Sequence, residues 1–390
     1  MPSTRSVKGL ERENVVKKEP PASVLAHRTQ IVEEPPIPKE VGVPVIKNYI
    51  DNSGIEMKYD FDDILIVPTK QTHIESRYDE INPYTNGYLP LFAAPMDTVT
   101  SKKNWFDFHE SLIYVVYPRT EKNKRLDHGF NSFGLEEFEK ELLKMSPADG
   151  TWYVLIDIAN GHMSKVIRYA KLAKQRNPNI VIMAGNIANP ETYRLYCESG
   201  AIDYARVGIG NGNGCLTTQQ TGVGYPMGSL IAECNEIKSQ FPNATKIVAD
   251  GGMKKYSDII RALALGADYV MLGSIFNKAL ESAAPTYWHG IKLPKAIARW
   301  MFKKGFTLTK EFRGMSTKKS QELMGNTKMR TSEGVVKKQI VEYTLDTWAK
   351  NFESYYRTAL SYTNCKSSAE FVGKVKFNII TQNAYNRYNK

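Results

Sequence analysis

The sequence predicts an α/β fold, a (β/α)8 barrel, on three observations. From Tyr59 onward, short runs of β-branched and aromatic residues alternate with amphipathic stretches. The distance from one run to the next suits a strand followed by a helix. Small and polar residues gather immediately after the runs, and in a closed parallel barrel all such positions open onto one C-terminal rim. An open, doubly wound sheet would spread them along an edge, so the clustering favours the barrel.

Taken in order, residues 1–45 hold seven prolines (Pro2, Pro20, Pro21, Pro35, Pro36, Pro38 and Pro44) among mixed charges, and read as a disordered arm. The barrel is expected over 46–375, followed by a C-terminal tail at 376–390. Its expected strands are 91–94, 113–116, 153–156, 180–183, 205–207, 246–249 and 269–272, short runs rich in β-branched and aromatic residues that look like buried parallel strands. Helix periodicity shows at 164–175, where Val166, Ile167, Ala170 and Ala173 share a stripe, and at 257–265 with Ile259, Ile260 and Leu263. The steps of 27 residues from 153 to 180 and 23 from 246 to 269 fit one βα unit each. The step of about 41 from 205 to 246 has to contain an extra loop.

Composition narrows the function classes. With 42% hydrophobic and 24% charged residues over 390 positions, a fibrous or wholly disordered chain is excluded. No apolar run reaches the ~18 residues of a membrane span, and the first thirty residues show no signal-peptide core, so a cytoplasmic protein is expected. Cys197, Cys215, Cys234 and Cys365 have no CxxC spacing, which argues against a disulfide framework and a zinc site. The histidines His27, His73, His109, His128, His162 and His289 show no metal-ligand spacing either. The net charge of +11 is concentrated at the C-terminal end, where residues 291–390 hold 20 Lys or Arg against 7 Asp or Glu. That surplus could attract polyanions, but no nucleic-acid module accompanies it, and a nucleic-acid partner is not expected.

Chemistry concentrates in 208–218, four glycines in seven residues followed by Cys215, Thr217 and Thr218. Glycines allow close backbone approach, so such a loop can aim N–H or C=O groups at an ion. A cysteine at its end can have its thiol acidity raised by aligned backbone dipoles and act as a nucleophile, though a buried inert cysteine is an equal reading of the loop alone. Asp250-Gly251-Gly252 and Gly273-Ser274 close two successive strands, each expected to lead into a helix, and turns of that kind bind phosphate. A carboxylate such as Asp250 beside the phosphate suits a sugar diol.

These residues fall into an ordered set: PMDTVT at 95–100, IDIANGH at 156–162, MAGNI at 183–187, GIGNGNGCLTTQQTGVGYP at 208–226, ADGG at 249–252, ADYVMLGS at 267–274 and RGMS at 313–316. The set resembles the IMP dehydrogenase and GMP reductase superfamily over roughly 59–364. The resemblance implies a (β/α)8 barrel with a short active-site flap, an oxidoreductase that is usually a homotetramer, and a purine mononucleotide substrate. It makes Cys215 the nucleophile that attacks purine C2 and Thr217 its catalytic partner. Asp250 falls on the ribose site, Gly251, Gly252, Gly273 and Ser274 on the phosphate cradle, and Gly314, Met315 and Ser316 on the purine-facing turn. Asp157, Ile158 and Ala159, with Ile209 and Gly210, fall on the nicotinamide side, and the carbonyls of Gly210, Gly212 and Cys215 on a potassium site.

Within the superfamily, dehydrogenases have a long flap with an Arg-Tyr pair that activates water. The segment between Met315 and Glu333 is short and has no such pair. It leads into Met329-Arg330-Thr331-Ser332-Glu333-Gly334, which is similar to the reductases' RASEG, so Thr217 and Glu333 are the implied acid–base dyad, with Arg330 and Gly334 in the substrate site. The roughly 35 residues between Val116 and Trp152 are too few for the regulatory insert usual in dehydrogenases. The expectation is therefore an NADPH-dependent GMP reductase. The runner-up is an NAD-dependent IMP dehydrogenase, and the alternative of another class is an inactive purine-nucleotide-binding protein. The chain departs from the family pattern at Asn211, Asn213 and Gly214 (usually Pro, Ser and Val or Ile), at Thr218 (usually Arg) and at Phe312 (Tyr in dehydrogenases). Tyr117-Pro118 stands in place of a His-Lys pair, with Arg119 next in line as a substitute cation.

Overall fold

The computed structural model describes residues 49–50, 56–212, 216–315, 317, 320, 322 and 336–388. The expected arm at 1–45 lies outside them. Three short strands, β1 (Tyr49–Ile50), β2 (Glu56–Met57) and β3 (Ile64–Ile66), precede the barrel. The barrel strands are β4 (Leu91–Ala93), β5 (Tyr114–Tyr117), β6 (Phe130–Phe133), β7 (Trp152–Asp157), β8 (Ile180–Ile187), β9 (Tyr204–Val207), β10 (Lys246–Asp250) and β11 (Tyr269–Leu272). All are parallel and paired in chain order, and β11 pairs back onto β4 with Val270 opposite Leu91, which closes the ring.

Seven of these strands match the expected runs. The eighth, β6, reads Phe-Asn-Ser-Phe and has no β-branched run to betray it, yet all four residues are buried. Tertiary contacts satisfy its polar side chain: Asn131 donates to the carbonyls of Leu126 at 3.0 Å and Tyr153 at 3.3 Å, and accepts from the Leu126 N–H at 3.1 Å. The Ser132 hydroxyl, also buried, has no hydrogen-bond partner among the described residues, and a strand with two buried polar positions is invisible to a hydrophobic pattern.

The helices between strands are α1 (Trp105–Glu110), α2 (Leu135–Leu142), α3 (Ser164–Arg176), α4 (Pro190–Ser199), α5 (Thr217–Thr221), α6 (Met227–Lys238), α7 (Tyr256–Leu265) and α8 (Ser274–Asn277). Their ends follow local chemistry. Asn189 caps α4 by accepting from the Glu191 N–H at 2.8 Å, Pro190 occupies the first turn, and Gly200 ends the helix at φ +61°. The long step between β9 and β10 holds α5 as well as α6, the extra loop the spacing required.

Two concentric cores result. Phe92, Val116, Phe130, Leu155, Met183, Val248, Tyr269 and Met271 fill the barrel lumen. A larger shell, with Ile156, Ile182, Val207 and Ile247 facing outward from the strands, packs under the helices. The lumen floor is aromatic: the Phe92 ring lies 5.1 Å from that of Tyr269 and 5.7 Å from that of Phe130.

After α8 the chain builds an antiparallel sheet of β12 (Thr286–Trp288), β13 (Ile291–Leu293), β14 (Thr309–Arg313) and β15 (Val336–Ile340), in the order β13-β12-β14-β15, with α9 (Lys295–Lys303) between β13 and β14. The end of β14 delivers Gly314 and Met315 to the barrel mouth. Helix α10 (Leu345–Tyr362) then covers the barrel, and β16 (Phe377–Ile379), within the expected tail, pairs with β3.

Candidate active site

One cavity of about 390 Å³ opens at the C-terminal mouth of the barrel. The strand ends that wall it are those of β4, β7, β8, β9, β10 and β11, closed on one side by the turn after β14. Asp157, Ile158, Ala159, Ile209, Gly210, Gly212, Thr217, Asp250, Gly251, Gly252, Gly273, Ser274, Gly314 and Met315 all line it. The structure thus brings together every expected site residue that it describes. Cys215, Ser316, Arg330, Glu333 and Gly334 lie outside the described residues, as do Asn213 and Gly214.

The wall is organised around a residue the sequence reading did not single out. Arg206, in β9, is buried, its side chain 9% exposed. Its Nη1 donates to Asp157 Oδ1 at 2.6 Å and its Nη2 to Asp250 Oδ2 at 2.8 Å. Burial works against its charge, but the carboxylates of Asp250 and Asp157 outweigh that and hold the guanidinium protonated more firmly than in water. Asn186, after the bend in β8, adds a 2.8 Å hydrogen bond to the same Asp250 Oδ2 and another of 2.8 Å to the Gly208 carbonyl. The other oxygens, Asp157 Oδ2 and Asp250 Oδ1, have no hydrogen-bond partner among the described residues. Each carboxylate is therefore fixed by one oxygen and open to a ligand at the other. The signal for Arg206 was a charge inside an otherwise apolar strand run, which is costly unless paired.

The glycines of the cysteine loop do specific work. Gly210 has φ +78°, and a Cβ there would collide with the Thr218 hydroxyl. That hydroxyl reaches the carbonyls of Val223 at 2.8 Å and Ile209 at 3.2 Å, so Thr218 pins the loop to the segment that follows α5. Gly251, at φ +97°, brings the end of β10 so near the loop that a Cβ would stand 2.9 Å from the Gly212 nitrogen.

Both glycine turns were expected to be followed by a helix start, and both are: Gly273 is the N-cap of the four-residue α8, and α7 begins at Tyr256, one residue before the expected start at 257. After Gly252 the helix waits until Tyr256, because Asp258 Oδ2 accepts from the N–H groups of Lys254 at 2.8 Å and Lys255 at 3.1 Å and sets the helix start there. Glycine backbone, not a long helix end, walls this side of the cavity. Phe312, itself buried, lines the same cavity, with Lys337 Nζ 5.4 Å from its ring centre.

The described residues contain no group of three or more His, Cys, Asp or Glu side chains able to hold a metal ion. His162 has both ring nitrogens engaged, by Thr192 Oγ1 at 2.7 Å and the Ala188 N–H at 3.2 Å. Among the described residues no helix is long and apolar enough to cross a membrane.

An eight-stranded parallel barrel whose mouth has a glycine-walled cavity and half-committed carboxylates defines the class of (β/α)8 proteins with a small-molecule site at the C-terminal rim. Within that class, the chain belongs to the IMP dehydrogenase / GMP reductase domain family, whose model matches residues 120–388. Similar proteins include the GMP reductases of Streptococcus pneumoniae strains CGSP14 and P1031. Each is 30% identical to this chain, over 58% of its length and 72% of theirs. The family's members are oxidoreductases that bind purine mononucleotides and use NADPH or NAD.

Proposed function

We propose that this chain is an NADPH-dependent GMP reductase, converting GMP to IMP and ammonia. The observation that carries the reading is the single cavity in which the glycine turns, the ribose-side Asp250 and the nicotinamide-side Asp157 share one wall, each carboxylate with an oxygen left for a ligand. The resemblance of the named relatives, all GMP reductases, favours the reductase over the dehydrogenase. So does the shortness of the segment between Met315 and Glu333, without an Arg-Tyr pair.

In this reading Gly251, Gly252, Gly273 and Ser274 bind the phosphate, Asp250 Oδ1 accepts from the ribose diol, and Gly314, Met315 and Ser316 face the purine, with Arg330 and Gly334 completing the substrate site. The Cys215 thiolate bonds to purine C2, and the amino group departs as ammonia after receiving a proton managed by Thr217 and Glu333. A bound NADPH would supply the hydride that C2 receives, and the Cys215 thiolate would be regenerated as the C–S bond breaks. The sum is GMP, NADPH and two protons giving IMP, NADP⁺ and ammonium. Asp157, Ile158, Ala159, Ile209 and Gly210 orient the dinucleotide, and the carbonyls of Gly210, Gly212 and Cys215 would hold K⁺, a chemistry suited to oxygen donors and not to the thiol or imidazole sets of transition metals. We place the protein in the cytoplasm as a homotetramer.

The test is a substrate panel with K⁺ present. NADPH absorbance should fall only when GMP is added, and Cys215→Ala should abolish the loss while GMP binding persists. NADH and XMP from IMP and NAD would make the chain a dehydrogenase. Tight GMP or IMP binding without turnover under either cofactor would make it a binding protein whose loop, altered at Asn211, Asn213 and Gly214, has lost the chemistry.

A further inference from the structure

The basic surplus at the C-terminal end of the chain plays no part in the proposed reaction, and it coincides with an exposed apolar surface on α9 and the β12–β13 hairpin. Helix α9 is apolar on two sides. Ala298 and Met301 are buried and pack with Leu308 and Val341. On the adjoining side Ile297 and Trp300, one turn apart, are 47% and 58% exposed. Phe306, just past the helix, stacks on Trp300 with ring centres 6.3 Å apart, and Trp288 of β12 meets Phe306 edge-on at 6.1 Å. Ile291, at the start of β13, is exposed as well. A packed helix that keeps a second apolar stripe in water is set up for a further partner.

Charge identifies the class of that partner. No Asp or Glu stands between Glu281 and Glu311. Lys295, Arg299 and Lys303 recur every fourth residue and make an exposed cationic stripe beside Trp300, with Lys292 and Lys304 exposed before and after the helix. Arg299 is committed to Asp107 Oδ1 at 3.2 Å, which ties α9 to α1. The four lysines have no ion-pair partner among the described residues.

We infer that this face docks on an anionic lipid surface, with Ile291, Ile297, Trp300 and Phe306 entering the headgroup boundary while the lysines meet the acidic headgroups. Aliphatic side chains beside the rings, and lysines in place of free arginines, distinguish it from a nucleic-acid platform, which stacks bases on aromatic rings and grips phosphates with arginine forks. A second copy set face to face would bring the lysine stripes together with no acid to neutralise them. Strand β14 runs from the α9 end at Thr309 to the cavity end at Arg313, so the docking face and the barrel mouth lie at opposite ends of that strand.

The test sediments the full chain with vesicles of phosphatidylcholine alone, or of phosphatidylcholine and phosphatidylserine two to one. The wild type should bind the acidic vesicles, lose that binding at high salt, and leave the neutral ones alone. The double variant Lys295→Gln/Lys303→Gln should weaken binding on the order of 10- to 30-fold. Trp300→Ser should weaken it on the order of 10-fold, and neither variant should move the urea midpoint, because the replaced side chains are exposed. Acidic vesicles with brominated acyl chains should quench tryptophan emission in the wild type and not in Trp300→Phe. Absence of binding to acidic vesicles, equal binding to neutral ones, or binding that neither variant weakens would overturn the inference. Polyuridylate binding that the same variants weaken, without vesicle binding, would make the face a nucleic-acid surface. A smaller assembly for Trp300→Ser in sedimentation equilibrium would make it an interface between copies of this chain; either result overturns the lipid assignment.

Discussion

At the scale of the residue, Arg206 decides how the cavity wall is charged. Removing the guanidinium in Arg206→Gln leaves Asp157 and Asp250, each 17% exposed in its side chain, without their shared counter-charge. Breaking such a pair from one side costs about 3–5 kcal/mol. The variant should unfold at a lower urea concentration than the wild type, and GMP binding should weaken because Asp250 is no longer aimed. Arg206→Lys keeps the charge but not the fork, so it should recover stability better than binding. An unchanged urea midpoint in Arg206→Gln would show that the clamp contributes nothing. Legibility at this scale was uneven. Asp250 and the glycine turns stand out because nothing but a turn explains them in sequence. Arg206 and Asn186 sit inside or beside strand runs, where a single polar letter looks like an irregularity until its partners, far apart in the chain, are known.

At the scale of the element, β14 contains the oddity of a lysine with its head group inside the protein. Lys310 is 1% exposed, and Nζ donates to Ser282 Oγ at 2.7 Å and to the carbonyls of Leu280 at 2.8 Å and Ser282 at 2.9 Å. Burial pulls its pKa down to about 7, with the Glu281 carboxylate only partly opposing. The folded pKa lies below the ordinary value of 10.5, so between these pH values the unfolded chain holds a proton that the folded chain has released. Stability should therefore rise with pH across that window, and the cost of burying the charge is fully present below about pH 7. Lys310→Met should flatten this slope, read as the change in urea midpoint between about pH 7 and about pH 9. An identical slope in the two proteins would refute the assignment. Elements were the most legible level: seven barrel strands appear as apolar runs because both of their faces are buried. Strand β6 escaped because Asn131 and Ser132 are buried polar residues, and β14 gave no warning that its second residue points inward.

At the scale of the whole molecule, the barrel separates what stabilises from what recognises. The floor is the packed rings of Phe92, Phe130, Tyr204 and Tyr269, and the mouth is glycine backbone and charge. Phe92→Ala should cost about 3–5 kcal/mol as a fully buried aromatic truncation and leave the KM for GMP unmoved in whatever protein stays folded. A KM shift comparable to that from a mouth substitution would show the two ends to be coupled. The barrel itself was legible because repeated βα spacing and strand-end clustering are long-range regularities that no single residue can spoil. The sheet β12–β15 was not, since its strands are short and half exposed.

The ring closed by β11 against β4 has a consequence for how such a protein can change. Its register is set by main-chain hydrogen bonds below the rim, so the side chain at each strand tip can be exchanged without retuning the neighbours. Tyr117-Pro118 followed by a guanidinium, at the end of β5, is a replacement of that kind. The architecture tolerates drift in its vocabulary of contacts because its grammar is written in the backbone.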